Sequence, residues 1–461
     1  VQSTATTPFS ITDLQAAVKG RVIGPDDPDY DTARTVLVPI AANRRPAAVV
    51  RVANTDDVAA VVNFARDNGV ALAVRSGGHS ASGHSTVDGG IVLDLHDMKG
   101  LEIDTASRTA WAETGLTAIE YTTATVEQGL ATGFGDTGSV GIGGLTTGGG
   151  VGYLGRLHGL TIDNVLAAEI VTADGQLRRV DAEHEPDLFW AIRGGGGNVG
   201  VATRFQYRLA DVSQFTGGML ILPGTPEVIE GFVQLASEAP DELSTIANIM
   251  SAPPMPFLPE EAVGSIVLMG MLAYTGDPES AERVLAPFRA LATPLADFVA
   301  ANPYTTMYPP DDPDYHPTAE SKTMFIDHVD RETAELIVER LNAIQAPIRV
   351  AQLRVLGGAM ARVPADATAY AHRSGKIMVN VAAFYEGDAD RAQKADWVKR
   401  FSDALYQGDD AVYVNFVGNE GEARTHAAYP GATWDRLAAI KARYDPDNLF
   451  HLNQNVPPAR G

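Results

Sequence analysis

The sequence predicts an α+β chain in three parts: alternating strands and helices over residues 1–210, an antiparallel sheet with helices on one face over 211–410, and a closing segment over 411–461. Three observations carry this prediction. Short apolar runs alternate with amphipathic stretches in the first part. Longer β-branched runs dominate the second. A chain of 461 residues is also too long for one ordinary domain.

The elements follow in order. "PAAVVRVA" (Pro46–Ala53) reads as a strand, and Thr55 to Gly69 as a helix with Thr55 as N-cap and Gly69 as terminator. "ALAVRS" returns to strand and completes a β-α-β unit. "IVLDLHDMKGLEID", "TAWAETG" and "LAAEIVTADGQLRRVD" add strands, and Thr117 to Gly129 reads as a helix. From Thr216 onward, "GMLILPG", "LSTIANIMSA", "SIVLMGMLAYTG", "IRVAQLRVLGGAMARV" and "KIMVNVAAFY" read as strands, with helices at Asp330–Ile344 and Asp388–Tyr406. Asn302 to Pro317 is rich in proline and reads as a loop beside a pocket; the last forty-odd residues read as a helix, a turn and an extended tail.

Composition excludes several functions. A formal net charge of −23 without a basic cluster argues against nucleic acid and anionic membrane surfaces as partners. With no cysteine, disulfides, thiolate nucleophiles and cysteine metal sites are absent, and no metal site is expected. No run approaches the roughly 20 apolar residues of a membrane span. "VQSTATTPFSITDLQAAV" lacks the pattern of a signal peptide, so a soluble protein is expected, with the cytoplasm favoured and the oligomeric state left open.

Glycine is concentrated in three segments, Gly77–Gly90, Gly133–Gly155 and Gly194–Gly200. Gly150–Gly155 and Gly195–Gly200 both satisfy G-x-G-x-x-G, a fingerprint that requires a strand before it and a helix after it. Gly150 follows other glycines, and the strand-like "VATRFQYRL" follows Gly200, so a dinucleotide fold of that kind is not supported. A phosphate-binding loop fails as well, because His84 stands where lysine is required. Glycine-rich turns do present successive amides to an anion and let the backbone lie against a flat ligand. Three such segments point to one extended ligand, with His79 closing the Gly77-Gly78 turn behind Arg75.

"RSGGHS" (Arg75–Ser80) resembles the flavin-attachment motif of the vanillyl-alcohol oxidase/p-cresol methylhydroxylase superfamily, in particular its berberine bridge enzyme-like members. "VGIGGLTTGGGVGYLGRLHGLTIDNV", "RGGGGNVGVATRF" and "YDPDNLFHLNQNVPP" are similar to further segments of that family, in the same order. The resemblance implies a split FAD-binding domain of the p-cresol methylhydroxylase type, completed by the C-terminal segment, and an antiparallel substrate domain. It implies FAD bonded covalently to His79. Arg75, Ser76, Gly77, Gly78, Ser80, Thr137, Gly138, Val140, Gly141, Gly144, Gly149, Gly152, His158 and Val201 become candidate cofactor contacts. Many members carry a second, cysteine tether; Thr137 fills that slot, so the link here is expected to be single. His84 is read as a loop residue.

The same resemblance places Tyr413 and Asn415 at the flavin, on a late strand, and Asn380 near the substrate as a residue that orients it; Gln352 and Arg354, which precede the "GGAMARV" turn, are further candidates to line the pocket. Phe416 occupies the position of the family's usual tyrosine base, which leaves the catalytic base unassigned. The expected reaction takes a hydride from an alcohol, sugar or amine carbon to flavin N5, with O2 regenerating the flavin and giving H2O2. A dehydrogenase using another acceptor and a flavin-free binding protein on the same fold stay open, and the small-molecule substrate is not specified.

Overall fold

A computed structural model describes residues 9–37, 41–310 and 318–460. The first sheet contains β1 (Arg21–Ile23), β2 (Ala48–Arg51), β3 (Leu72–Arg75) and β4 (Ile91–Asp94) in the order β1-β2-β4-β3. Strands β2, β4 and β3 run parallel, which requires a crossover, and the helix Thr55–Asp67 supplies it. Its N-cap is Asn54, one residue before the expected Thr55, because the Asn54 side chain accepts the amide of Asp57. Val58, Val61, Val62 and Ala65 bury the inner stripe of this helix against the sheet.

The second sheet is wholly antiparallel. It is built from β5 (Leu101–Asp104), β6 (Thr109–Glu113), β8 (Val165–Val171), β9 (Leu177–Asp181) and β10 (Val201–Arg208) in the order β5-β6-β10-β8-β9; β7 (Leu130–Ala131) pairs apart from it with β11 (Ala210–Asp211). The two G-x-G-x-x-G segments lie between the helices Ile142–Gly148 and Gly155–His158, and between the helix Pro186–Ile192 and β10. Neither has the strand-then-helix context of a dinucleotide fingerprint.

The third sheet is larger. Its path is β15-β12-β14-β13-β18-β19-β17, with β16 also paired to β12. The strands are β12 (Phe215–Pro223), β13 (Leu243–Ser251), β14 (Ile266–Thr275), β15 (Ala296–Asp297), β16 (Ala300–Ala301), β17 (Ala319–Ile326), β18 (Arg349–Val355) and β19 (Ile377–Phe384). Helices Pro226–Glu238, Pro278–Arg289, Arg331–Asn342 and Asp388–Leu405 contribute Phe232, Phe288, Ile337 and Phe401 to one core with Leu353, Val379 and Val381 of the sheet. Three of these helices start on capping side chains, Thr225, Asp277 and Asp330. Strand residues alternate in direction, so Asn248, Gln352 and Asn380, paired in register across β13, β18 and β19, occupy the opposite face.

Four details differ from the sequence reading or extend it. β17 and the helices Pro226–Glu238 and Pro278–Arg289 were not expected individually. The "GGAMARV" turn after β18 contains a short helix, Ala359–Arg362. The described part of the proline-rich loop holds a 3-10 turn, Tyr304–Met307, while residues 311–317 of that loop and 1–8 of the N-terminal stretch lie outside the described residues. Tyr413–Phe416 is not a strand: the Phe416 amide donates to the Tyr413 carbonyl at 2.9 Å, closing a 3-10 turn.

Candidate active site

A cavity of about 480 Å3 opens where the three sheets and the C-terminal segment converge. Its first wall begins at the end of β3. The Arg75 guanidinium is buried under the turn, donating to Asp94 Oδ2 at 2.7 Å and to the Ala33 carbonyl at 2.6 Å. Ser76 Oγ donates to the Thr114 carbonyl at 2.5 Å, fixing the turn to the second sheet. Gly77 then passes against Gly141 so closely that a β-carbon on either would lie 2.2 Å from the other's amide nitrogen. Gly78 turns through φ +75°, and His79 and Ser80 follow on the cavity wall.

The second wall is the segment from Gly135 to Thr147, which includes Asp136, Thr137, Val140, Gly141 and Gly144. Where a Gly144 β-carbon would sit there is open space. The third wall brings Gly196, Gly197, Gly200 and Val201 from the start of β10. Asn198 holds it, donating to the Gly195 and Gln454 carbonyls at 2.8 and 3.1 Å and accepting the Val456 amide at 2.9 Å. The fully buried Lys441 donates to the Asn198 carbonyl at 3.0 Å and the Phe450 carbonyl at 2.7 Å, and pairs with Asp445 at 3.1 Å.

Tyr413 and Asn415 line the cavity together. Tyr413 Oη accepts the Gly150 amide at 2.8 Å and Asn415 Nδ2 at 2.9 Å; Asn415 Nδ2 also reaches the Leu145 carbonyl at 3.0 Å. Burial raises the Tyr413 pKa against these hydrogen bonds, so the phenol stays protonated. Gly148 has to be glycine, since a β-carbon there would meet Asn415 Oδ1 at 2.0 Å. His84 also lines the cavity, and burial, with the charge of Arg44, lowers its pKa to about 4. Two lining side chains, Tyr429 and Asn453, carry a buried Oη and a buried Oδ1 without partners among the described residues. Open glycine faces and unpaired polar atoms on one elongated wall fit an extended ligand with flat and polar parts.

Residues 46–181 match the FAD binding domain family, and residues 412–457 match the family described as berberine and berberine like. An FAD-linked oxidoreductase of Bacillus subtilis (strain 168), YvdP, is 30% identical over 458 residues, covering 96% of this chain and 98% of that protein. The chain belongs to the berberine bridge enzyme-like FAD-linked oxidoreductases. The (R)-6-hydroxynicotine oxidase of Paenarthrobacter nicotinovorans is 29% identical over 96% of this chain and 97% of its own length. The crystal structure of 6-hydroxy-D-nicotine oxidase from Arthrobacter nicotinovorans superposes with a TM-score of 0.87 at 26% identity, over 99% of this chain and all of the other.

Within this berberine bridge enzyme-like chain, the residues expected at the site separate into two groups. His79, Ser76, Gly77, Gly78, Ser80, Thr137, Val140, Gly141, Gly144, Val201, Asn380, Tyr413 and Asn415 line the cavity. Arg75, Gly138, Gly149, Gly152, His158 and Gln352 do not. Arg75 anchors the turn from below, and Gly138 packs against Ile119 and Tyr308. Gly149 faces Tyr413 and Tyr370, while Gly152 abuts the Phe134 carbonyl. Burial lowers the pKa of His158, whose Nε2 is enclosed without a partner among the described residues, and Gln352 donates to Asn248 Oδ1 at 2.8 Å.

Sequence reasoning did not single out Asp136, Ser321 or Tyr429, all on the wall. Asp136 stands within the second glycine-rich segment, Gly133–Gly155, and Asn453 and Gln454 within the closing motif. Tyr429 carried no local signal. Among the described residues no cluster of three or more His, Cys, Asp or Glu is placed to hold a metal, and no helix is long and apolar enough to cross a membrane.

Proposed function

We propose that the chain is an oxidase whose FAD is covalently bound through His79 alone, acting on a substrate carbon that bears a hydroxyl or an amine, with O2 as acceptor and H2O2 as product. The single observation that carries this reading is the meeting of three glycine-rich segments and the C-terminal signature around one cavity with His79 on its wall. Bound FAD supplies the two-electron acceptor. The backbone from Ser76 to Ser80 would hold its diphosphate, and Val201, Asn453 and Gln454 would line the rest of its length. Tyr413 and Asn415 would contact the ring system, while Asn380 and Ser321, on the third sheet, would face the substrate. Thr137 carries a hydroxyl and the chain has no cysteine, which supports a single tether.

The same reading divides the chain into an FAD-binding unit (1–210), a substrate unit (211–410) and a returning segment (411–461). On a denaturing gel the wild-type band is expected to stay yellow and fluoresce in acid, and His79→Ala to lose both. A wild-type band that releases all its flavin would overturn the tether. Peroxide formed under air with a turned-over substrate is expected; reduction of an artificial dye without peroxide would make the protein a dehydrogenase.

A further inference from the structure

We infer that Asp136 is a specificity-determining residue that selects a cationic, amine-bearing substrate, with Arg354 as its ion-pair partner behind the wall. This rests on the flavin-enzyme reading above and names its substrate class.

Among the described residues Asp136 is the sole carboxylate on the cavity wall, and no lysine or arginine lines it. The segment after β7 brings Asp136 to the wall, while Arg354 reaches it from β18 on the third sheet, Nη2 donating to Oδ2. The two ends of this ion pair are not presented equally. Arg354 has a side-chain exposure of 5%, against 21% for Asp136. The guanidinium carbon lies 4.7 Å from the centroid of the Phe416 ring, and Phe416 itself lines the cavity. An aromatic face therefore covers the positive end while the negative end stays on the wall. Asp136 Oδ1 accepts no hydrogen bond from the described residues, which leaves one anionic oxygen for a ligand donor.

The surroundings preserve that sign. Burial, with the charge of Asp136 added, raises the pKa of Tyr153 and Tyr308, so both phenols stay neutral. His84 is neutral at physiological pH, and Thr137, Ser321 and Asn380 contribute only neutral dipoles. A fixed carboxylate in a walled cleft favours an ammonium group over a neutral hydroxyl of the same size, and the net charge of −23 raises the local concentration of cations.

The test is isothermal titration of the purified holoprotein with benzylamine and, as neutral isostere, benzyl alcohol, at neutral pH in wild type, Asp136→Asn and Arg354→Gln. Wild type is expected to prefer benzylamine. Asp136→Asn should weaken benzylamine about tenfold and leave benzyl alcohol within about twofold. Arg354→Gln should keep or tighten benzylamine binding, because it removes the counter-cation and retains the carboxylate. A wild type without preference for the amine, or variants that weaken both probes alike, would overturn the inference. If Asp136→Asn does not fold, Arg354→Gln decides by the same criterion. Flavin absorbance recorded on the same samples separates the two levels: colourless wild type sinks the flavin reading, and yellow protein with unselective binding sinks only this one.

Discussion

Lys441 and Asp445, neither exposed to solvent at all, face each other at 3.1 Å one helical turn apart and join the C-terminal segment to the third glycine loop. The lysine supplies two carbonyls with donors, and the aspartate accepts the Leu449 and Phe450 amides at 2.7 and 2.9 Å. Removing one member strands a buried charge, so Lys441→Met is expected to destabilise the protein by about 3–5 kcal/mol. The double variant Lys441→Met/Asp445→Asn should recover part of that loss. Denaturant unfolding of the three proteins checks it; equal midpoints for wild type and Lys441→Met would show that the pair has no such role.

The contact between Gly77 and Gly141 gives a second expectation. A methyl group on either would lie against backbone, which cannot rotate away. Gly77→Ala and Gly141→Ala should each destabilise by about 1–3 kcal/mol and reduce the flavin retained per chain. Gly89→Ala, at a position with open space around it but with φ +65°, isolates the purely conformational cost. Thermal midpoints and the flavin-to-protein absorbance ratio measure the two effects separately.

His84 makes stability depend on pH. Its pKa in the folded protein is about 4, against an ordinary 6.5, so the unfolded chain binds this proton first. The associated stability is complete above pH 6.5 and is lost as the pH falls towards 4. His84→Gln should lessen the drop in melting temperature across that window. An identical drop in both proteins would show that the ring does not resist protonation.

Much of the architecture was legible because each cue had a local physical cause. Gly69 ended the first long helix as read, and alternating apolar runs marked β12, β13, β14, β18 and β19. The early helix cap was misread by one residue because Asn54 and Thr55 both have capping side chains, and only geometry shows which one reaches the Asp57 amide. The family resemblance places Tyr413–Phe416 on a strand, yet the segment closes a 3-10 turn, with the Tyr413 hydroxyl tied to the distant Gly150 amide and to Asn415 two residues on. Asp136 was overlooked for a similar reason: its ion-pair partner, Arg354, is 218 residues away.

Asn248, Gln352 and Asn380 stand side by side across three strands, and the residues between them along each strand are locked under the helices. Asn380 reaches the cavity from this face while its neighbours along the strand, Val379 and Val381, belong to the core beneath the helices. A replacement at Asn380 therefore alters the cavity wall without disturbing the packing that holds the layer together.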